Sequence, residues 1–110
     1  MRILGSIAPN LVIEVEAALT AEGRAALVPQ VASAKVDRCA YDQAADAGYI
    51  YFVRPSPSPH FAKLATPVAE TIAFLEKGFN VDVDHDGNLF GIELLSRPDV
   101  IDNLREANAL

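Results

Sequence analysis

Residues 80–94 read NVDVDHDGNLFGIEL, with an alternating run on either side of Asp86-Gly87. An Asp-Gly pair between alternating runs is a strong hairpin signal, because a type I′ turn requires positive φ at both central residues. A two-residue turn centred on Asp86-Gly87 therefore predicts a β-hairpin over 80–94. The predicted pairs, counted outward from the turn, are His85–Asn88, Asp84–Leu89, Val83–Phe90, Val81–Ile92 and Phe79–Leu94.

The predicted register separates apolar from polar side chains. One face carries the last three pairs and is wholly apolar. The other face carries Asp84, Asp82 and Asn80 opposite Leu89, Gly91 and Glu93. A slip of one residue would turn the apolar set of a strand away from the core, so the pattern specifies its own register.

The same stretch matches a calcium-binding pattern, since Asp82, Asp84, Asp86, Gly87 and Glu93 fit the EF-hand loop. An EF-hand loop lies between two helices, whereas both flanks here are strand-like. At roughly 3.3 Å per residue, Asp86 and Glu93 would be about 20 Å apart on an extended strand, too far to share one ion. We therefore expect no metal and no cofactor. A partial site made by Asp82, Asp84 and Glu93 stays open as an alternative to a solvated acidic face.

The N-terminal third contains two segments with apolar patterns, and the first of them has two competing interpretations. Leu11–Ala17 alternates with period two, which predicts a strand, and a helix from Asn10 is the rival. Thr20–Val28 predicts a helix capped by Thr20, which ends or kinks at Pro29.

The rest of the chain predicts further strands and one helix. Val36–Tyr41 and Gly48–Val53 predict a hairpin, because the second run is aromatic and β-branched. Arg54–His60 is a Pro-rich loop, and Val68–Leu75 alternates weakly. Ser96–Glu106 predicts a C-terminal helix with Pro98 in its first turn. We expect a single α+β domain over 1–110, with a small antiparallel sheet of four to five strands in a meander of hairpins, an N-terminal and a C-terminal helix.

Composition narrows the function classes. The 110 residues carry a net charge of −6, which disfavours binding to nucleic acid by the chain itself. The single cysteine, Cys39, excludes an intramolecular disulfide and fits a reducing, cytoplasmic setting. We expect neither a signal peptide nor a membrane span.

No catalytic constellation is recognisable in the sequence. His60 and His85 are the two histidines, and a triad built from Ser56 or Ser58 with His60 lacks a nucleophile elbow. Asp82 and Asp84 share a strand face that looks wet, which disfavours acid–base catalysis. We therefore expect a protein that is not an enzyme.

Three ordered motifs point to a family. They are YDQAADAGYIY at 41–51, VAET at 68–71 and the hairpin with its extension to Leu95. Together they resemble the bacterial domain-of-unknown-function 2283 family over about 41–95, with a family-like core at about 36–95. Gly48 departs from the larger apolar residue usual there. The resemblance implies a compact, mainly antiparallel β domain and no established catalysis, and some relatives look like antitoxin-type partners of small toxin-like proteins.

These observations predict a non-enzymatic protein-interaction module. Its partner would be a second copy, in a homodimer, or a small basic protein, as for an antitoxin. The alternative is a metal- or small-ligand-binding domain that uses the acidic hairpin Asp82–Glu93.

Overall fold

The computed structural model describes residues 2–59 and 66–110. It confirms the α+β class with an antiparallel sheet, but the sheet has six strands instead of four to five. The elements are β1 (Arg2–Ile3), α1 (Leu4–Ile7), α2 (Pro9–Ala21), α3 (Val28–Val31), β2 (Lys35–Asp42), β3 (Ala47–Phe52), β4 (Val68–Phe74), β5 (Phe79–Asp84), β6 (Leu89–Leu95) and α4 (Pro98–Glu106).

The sheet consists of two three-stranded meanders. Its order is β1-β2-β3-β6-β5-β4, and every neighbouring pair is antiparallel. The two meanders meet where β3 pairs with β6, so these two strands form the centre of the sheet. The predicted hairpin of β2 and β3 and the predicted C-terminal helix α4 are both confirmed.

The predicted strand at Leu11–Ala17 is wrong, because this segment lies inside α2. Leu11, Val15 and Leu19 are buried at a spacing of four residues, which is the helical period. Ile13 is 64% exposed, so the alternation breaks there. The rival interpretation, a helix beginning at Asn10, is close to the structure, in which Pro9 occupies the first turn.

The predicted helix at Thr20–Val28 is also wrong. Helix α2 ends at Ala21, and Gly23 adopts a φ of +75°, which a continuing helix does not allow. A 3₁₀ turn at Ala25–Leu27 then leads into α3. Pro29 lies in the first turn of α3, where its missing N–H costs nothing.

The central hairpin differs from the predicted two-residue turn. The N–H of Asp84 donates to the Asn88 carbonyl at 2.9 Å, and the N–H of Gly87 donates to the Asp84 carbonyl at 3.2 Å. The connection is therefore three residues long, with Gly87 at a φ of +81°. The carboxylate of Asp84 accepts the N–H groups of Asp86 and Asn88, each at 2.9 Å, and stabilises this longer loop.

One extra loop residue is balanced by one bulge. Val83 pairs with Leu89 instead of Phe90, and Asp84 therefore does not pair with Leu89. The register shifts between Asp82 and Val83, which restores the predicted pairs Val81–Ile92 and Phe79–Leu94. A bulge leaves one residue unpaired and re-aims its side chain. Here that residue is Phe90. Its side chain lies outside the core, and Leu89 is buried instead.

All the described helices contribute to one hydrophobic core on one face of the sheet, called here the covered face. The core side chains of the sheet are Val36, Ile50, Phe52, Ile72, Phe74, Phe79, Val81, Val83, Leu89, Ile92 and Leu94. Val100, Ile101 and Leu104 of α4 pack in this core. A Cβ at Gly48 would lie 2.8 Å from Cδ1 of Ile101, which explains why this chain has glycine there.

The described part of the chain contains no candidate membrane-spanning helix. None of its helices is long and apolar enough to span a bilayer, and the longest of them, α2, has 13 residues.

Candidate functional site

The opposite side of the sheet is called here the open face, because no described helix packs on it. Side chains alternate along each strand, so the neighbours of the core residues point this way. One row across the sheet, read from β2 to β4, holds Arg38, Tyr51, Gly91, Asp82 and Thr71. This row passes through the centre of the face.

Three aromatic rings form a cluster on the open face, called here the aromatic strip. The ring centroid of Tyr51 lies 4.5 Å from that of Tyr49 and 6.2 Å from that of Phe90. The guanidinium of Arg38 lies 3.7 Å from the Tyr51 centroid, and that of Arg54 lies 4.6 Å from the Phe90 centroid. All three rings are half-buried, so the strip presents apolar surface to solvent.

The bulge in β6 completes this strip. Regular pairing would have turned Phe90 into the covered face, as the sequence analysis predicts. With the bulge, its ring contacts Tyr49 and Tyr51 edge-on instead. The same irregularity that corrects the hairpin register thus adds the third ring.

Tyr49 crosses a strand to reach a carboxylate. Its ring lies over Gly91, where an added Cβ would be 2.2 Å from Tyr49 Cε1. The Tyr49 hydroxyl donates to Oδ2 of Asp82, and the Thr71 hydroxyl donates to Oδ1 at 2.5 Å. Side chains of β3, β5 and β4 are thereby joined across the sheet. Burial of the Tyr49 hydroxyl, and then its bond to Asp82, raise the pKa of Tyr49 above its usual value.

A second polar pair lies beside the first. Asn80 is 9% exposed and donates from Nδ2 to Oε1 of Glu93 at 2.9 Å. Its amide oxygen accepts the N–H of Phe74 at 3.3 Å. In the part of the chain that the structure describes, no buried side-chain nitrogen or oxygen lacks a partner.

The residues of the EF-hand pattern lie on two strands and a turn, each with its own donors. Asp82 is bound by Tyr49 and Thr71, and Glu93 by Asn80. Asp84 holds the turn and pairs with Arg54 at 2.9 Å, and Asp86 accepts the N–H of Ser58 at 3.1 Å. Within residues 2–59 and 66–110, no three His, Cys, Asp or Glu side chains form a group that could hold a metal ion.

The candidate triad of Ser56 or Ser58 with His60 includes one residue that the structure does not describe. Ser58 bonds through its backbone N–H to Asp86, and Nε2 of His85 lies 3.2 Å from the Thr66 carbonyl oxygen. His60 lies outside the described residues.

Cys39 is a half-buried thiol on β2 whose side chain packs against the core. Burial raises its pKa to about 11, which keeps it protonated at neutral pH.

Asp42 and Asp46 shape the β2–β3 connection through local bonds. Oδ1 of Asp42 accepts the N–H of Ala44 at 3.0 Å, and Oδ1 of Asp46 accepts the Tyr41 hydroxyl at 2.9 Å.

Sequence reasoning missed the aromatic strip. Its signal was the alternation of Tyr49 and Tyr51 with Ile50 and Phe52, which places two aromatic residues on the face opposite the core. Phe90 gave no such signal, because its position follows from the bulge.

One segment of the chain, which matches a known family, contains all the residues of this face that are described above. Among them are Arg38, Tyr49, Tyr51, Arg54, Asp82, Phe90 and Gly91. A family model described as "Protein of unknown function (DUF2283)" matches residues 38–96, which is more than half of the chain. No curated protein and no solved structure matches the chain significantly. The chain therefore belongs to the DUF2283 family of proteins of unknown function.

Proposed function

We propose that the chain is a non-enzymatic interaction module that forms a homodimer through the open face. The observation that carries this proposal is the aromatic strip, which lies half-buried on a sheet face that no described helix covers. Exposed apolar patches on small proteins commonly mark interaction sites. Tyrosine, phenylalanine and arginine are also among the residues that are enriched in interfaces.

The charges of the open face are complementary to themselves. Arg38 on β2 and Asp82 on β5 lie in the same row, on opposite sides of the central strands. A two-fold axis that runs between β3 and β6 in the interface would bring Arg38 of each copy over Asp82 of the other. Self-complementarity of this kind is what an interface between identical copies requires.

The area of the face suits a dimer of standard size. The sheet has six strands, and at about 4.8 Å between strands and about 3.3 Å per residue it offers on the order of 600 Å² per copy. Two such faces exceed the roughly 1,000 Å² of total area expected of a biological interface. Aligned packing of two sheets, about 10 Å apart, would bury the aromatic strip.

The same face suits a basic partner less well. Arg38 and Arg54 flank the strip, each with its guanidinium over one of the rings. A basic protein would meet two cations at the centre of its contact, and like charges opposed across an interface are costly.

Light scattering coupled to size exclusion tests the proposal over a range of concentrations. We expect the wild type to approach twice its chain mass of 11.8 kDa. Arg38→Glu places like charges opposite each other and should raise the dimer dissociation constant at least about tenfold, since such juxtaposition costs several kcal/mol.

Arg105→Glu is the matched control. It makes the same change of charge in α4, whose buried residues pack on the covered face, and should leave the mass unchanged. A monomer at every concentration, or an equal effect of the two variants, would contradict the proposal.

A further inference from the structure

The two edges of the sheet differ in length. One edge is β1, which has only two residues. The other is β4, which has seven residues and pairs on one side only, with β5. No described strand pairs with its outer side. A seven-residue edge presents a row of backbone N–H and C=O groups to which another chain can pair.

The usual devices that protect an edge are weak in β4. Natural edge strands are commonly blunted by lysine, by proline, by inward-pointing charges or by β-bulges, and β4 has an irregularity only at its start, between Val68 and Glu70. Strand β4 contains neither lysine nor proline, and its single charged residue is Glu70. Arg24 binds both oxygens of that carboxylate, at 2.6 and 2.7 Å, which neutralises it. After the irregularity between Val68 and Glu70, pairing is regular to the end of the strand at Phe74.

The region around this edge is acidic. Residues 66–88, which include β4 and β5, carry five carboxylates and one lysine and hold four of the chain's six net negative charges. Arg24 and Arg54 pair with two of these carboxylates, so a net charge of −2 remains. An extended segment with positive side chains is therefore electrostatically complementary to this edge.

The alternation of β4 defines the order of side chains on such a segment. On the covered side, Ile72 and Phe74 are buried, so an added strand would place apolar residues beside them. On the open side, Thr71 and Ala73 are exposed, and the Thr71 hydroxyl donates to Asp82. We therefore expect lysine or arginine at the positions of the added strand that lie beside Thr71 and Ala73.

We propose that β4 binds an extended segment of a partner protein, with alternating apolar and basic residues, as a seventh strand of the sheet. Main-chain hydrogen bonds supply the affinity in this mode of recognition, and alternate side chains supply the specificity. The main-chain bonds form along the outer edge of β4 and not across the open face, so this proposal goes beyond the homodimer and does not depend on it.

The probe is a labelled nine-residue peptide of alternating valine and lysine, and its binding is followed by fluorescence anisotropy. We expect saturable binding with increased protection of the amides of 70–74 from hydrogen exchange. A peptide of the same charge with two central valines replaced by proline cannot donate to the edge and should bind at least about tenfold more weakly. Equal binding of the two peptides would show mere charge attraction and would overturn the proposal.

Two matched variants locate the peptide on the protein. Ala73→Lys adds a charged gatekeeper to β4 and should weaken binding at least about tenfold. Ala40→Lys adds the same charge at an exposed position of β2 and should leave binding unchanged. An equal loss of peptide affinity in both variants would show that the peptide binds elsewhere and would refute the proposal that it pairs with β4.

The dimer variant separates the two proposals. Arg38→Glu should bind the peptide as the wild type does, whatever its mass. If it loses the peptide as well, the binding site is the open face and the edge proposal fails.

Discussion

Ile92 and Glu93 are neighbours in β6, yet they belong to two different kinds of surface. Ile92 is fully buried on the covered face, among aliphatic and aromatic side chains from the helices and strands. Glu93 lies on the open face, where hydrogen bonds and stacked rings connect the strands. The covered face is stabilised by removing apolar area from water, and the open face by specific contacts between named groups. The comparison teaches that the two faces of one sheet are stabilised in different ways, one by burial and the other by specific side-chain contacts.

The largest expected difference is between the losses of unfolding free energy when a buried side chain is removed from the covered face and a ring from the open face. Leu94→Ala removes a fully buried side chain from the covered face and should lower the free energy of unfolding by about 2–5 kcal/mol. Tyr51→Ala removes a half-buried ring from the open face and should cost clearly less in a monomer. Urea unfolding of both variants measures the difference, and equal losses would remove the distinction between the faces.

Gly91→Ala tests the point where the open face is most tightly packed. A Cβ would lie 2.2 Å from Tyr49 Cε1 and 2.6 Å from the Ile50 carbonyl oxygen. We expect a loss of about 1–3 kcal/mol in unfolding free energy, as for overpacking in a core. Tyr49→Ala in the same chain should relieve this only in part, because the backbone oxygen remains, and a double-mutant cycle measures the coupling. A stability like that of the wild type would show that the ring does not rest on Gly91.

Tyr49→Phe removes the hydroxyl that binds Asp82 and keeps the ring. The carboxylate retains Thr71 as a donor, so the expected loss is about 1–2 kcal/mol in thermal or urea unfolding. Tyr51→Phe is the matched control, since the described residues offer its hydroxyl no side-chain hydrogen bond, and it should change stability by less than about 0.5 kcal/mol. Equal effects would mean that the bond to Asp82 contributes nothing.

The smallest expected effect on stability concerns Cys39, at the rim of the covered face. With its pKa raised to about 11, the native thiol should react with iodoacetamide at pH 8 about a hundredfold more slowly than the unfolded chain does. Because the folded pKa is the higher one, the unfolding free energy should fall as pH rises from the unfolded thiol value towards 11. Mass spectrometry follows the alkylation, and Cys39→Ser should remove this part of the pH dependence. Rapid alkylation of the native chain would contradict the buried position.

The covered face could be predicted from the sequence further than the open face could. The alternation of Phe79, Val81, Ile92 and Leu94 with polar residues leaves one register that buries them all, and the structure has that register. Helix α2 was ambiguous, because a run of valine, isoleucine and leucine fits both a strand and one side of a helix. Strand β1 is too short to produce a period of its own.

The open face could be predicted only in part because its third ring depends on which of two loop geometries the hairpin adopts. Asp-Gly fits a two-residue turn as well as the observed three-residue loop, and the choice follows from the Asp84 carboxylate binding the loop N–H groups. That choice creates the bulge, and the bulge places Phe90 on the aromatic strip. The Asp-Gly pattern alone does not distinguish the two loops, so it does not predict the position of Phe90.

The most direct test of the open face as an interface is sedimentation velocity of Tyr51→Glu beside the wild type, with a thermal melt of the same samples. A charge in the middle of the aromatic strip should leave the fold intact and abolish association. The account predicts a folded monomer of 11.8 kDa for the variant and twice that mass for the wild type. A folded variant that sediments as the wild type does, or a wild type that stays monomeric at every concentration, would contradict it.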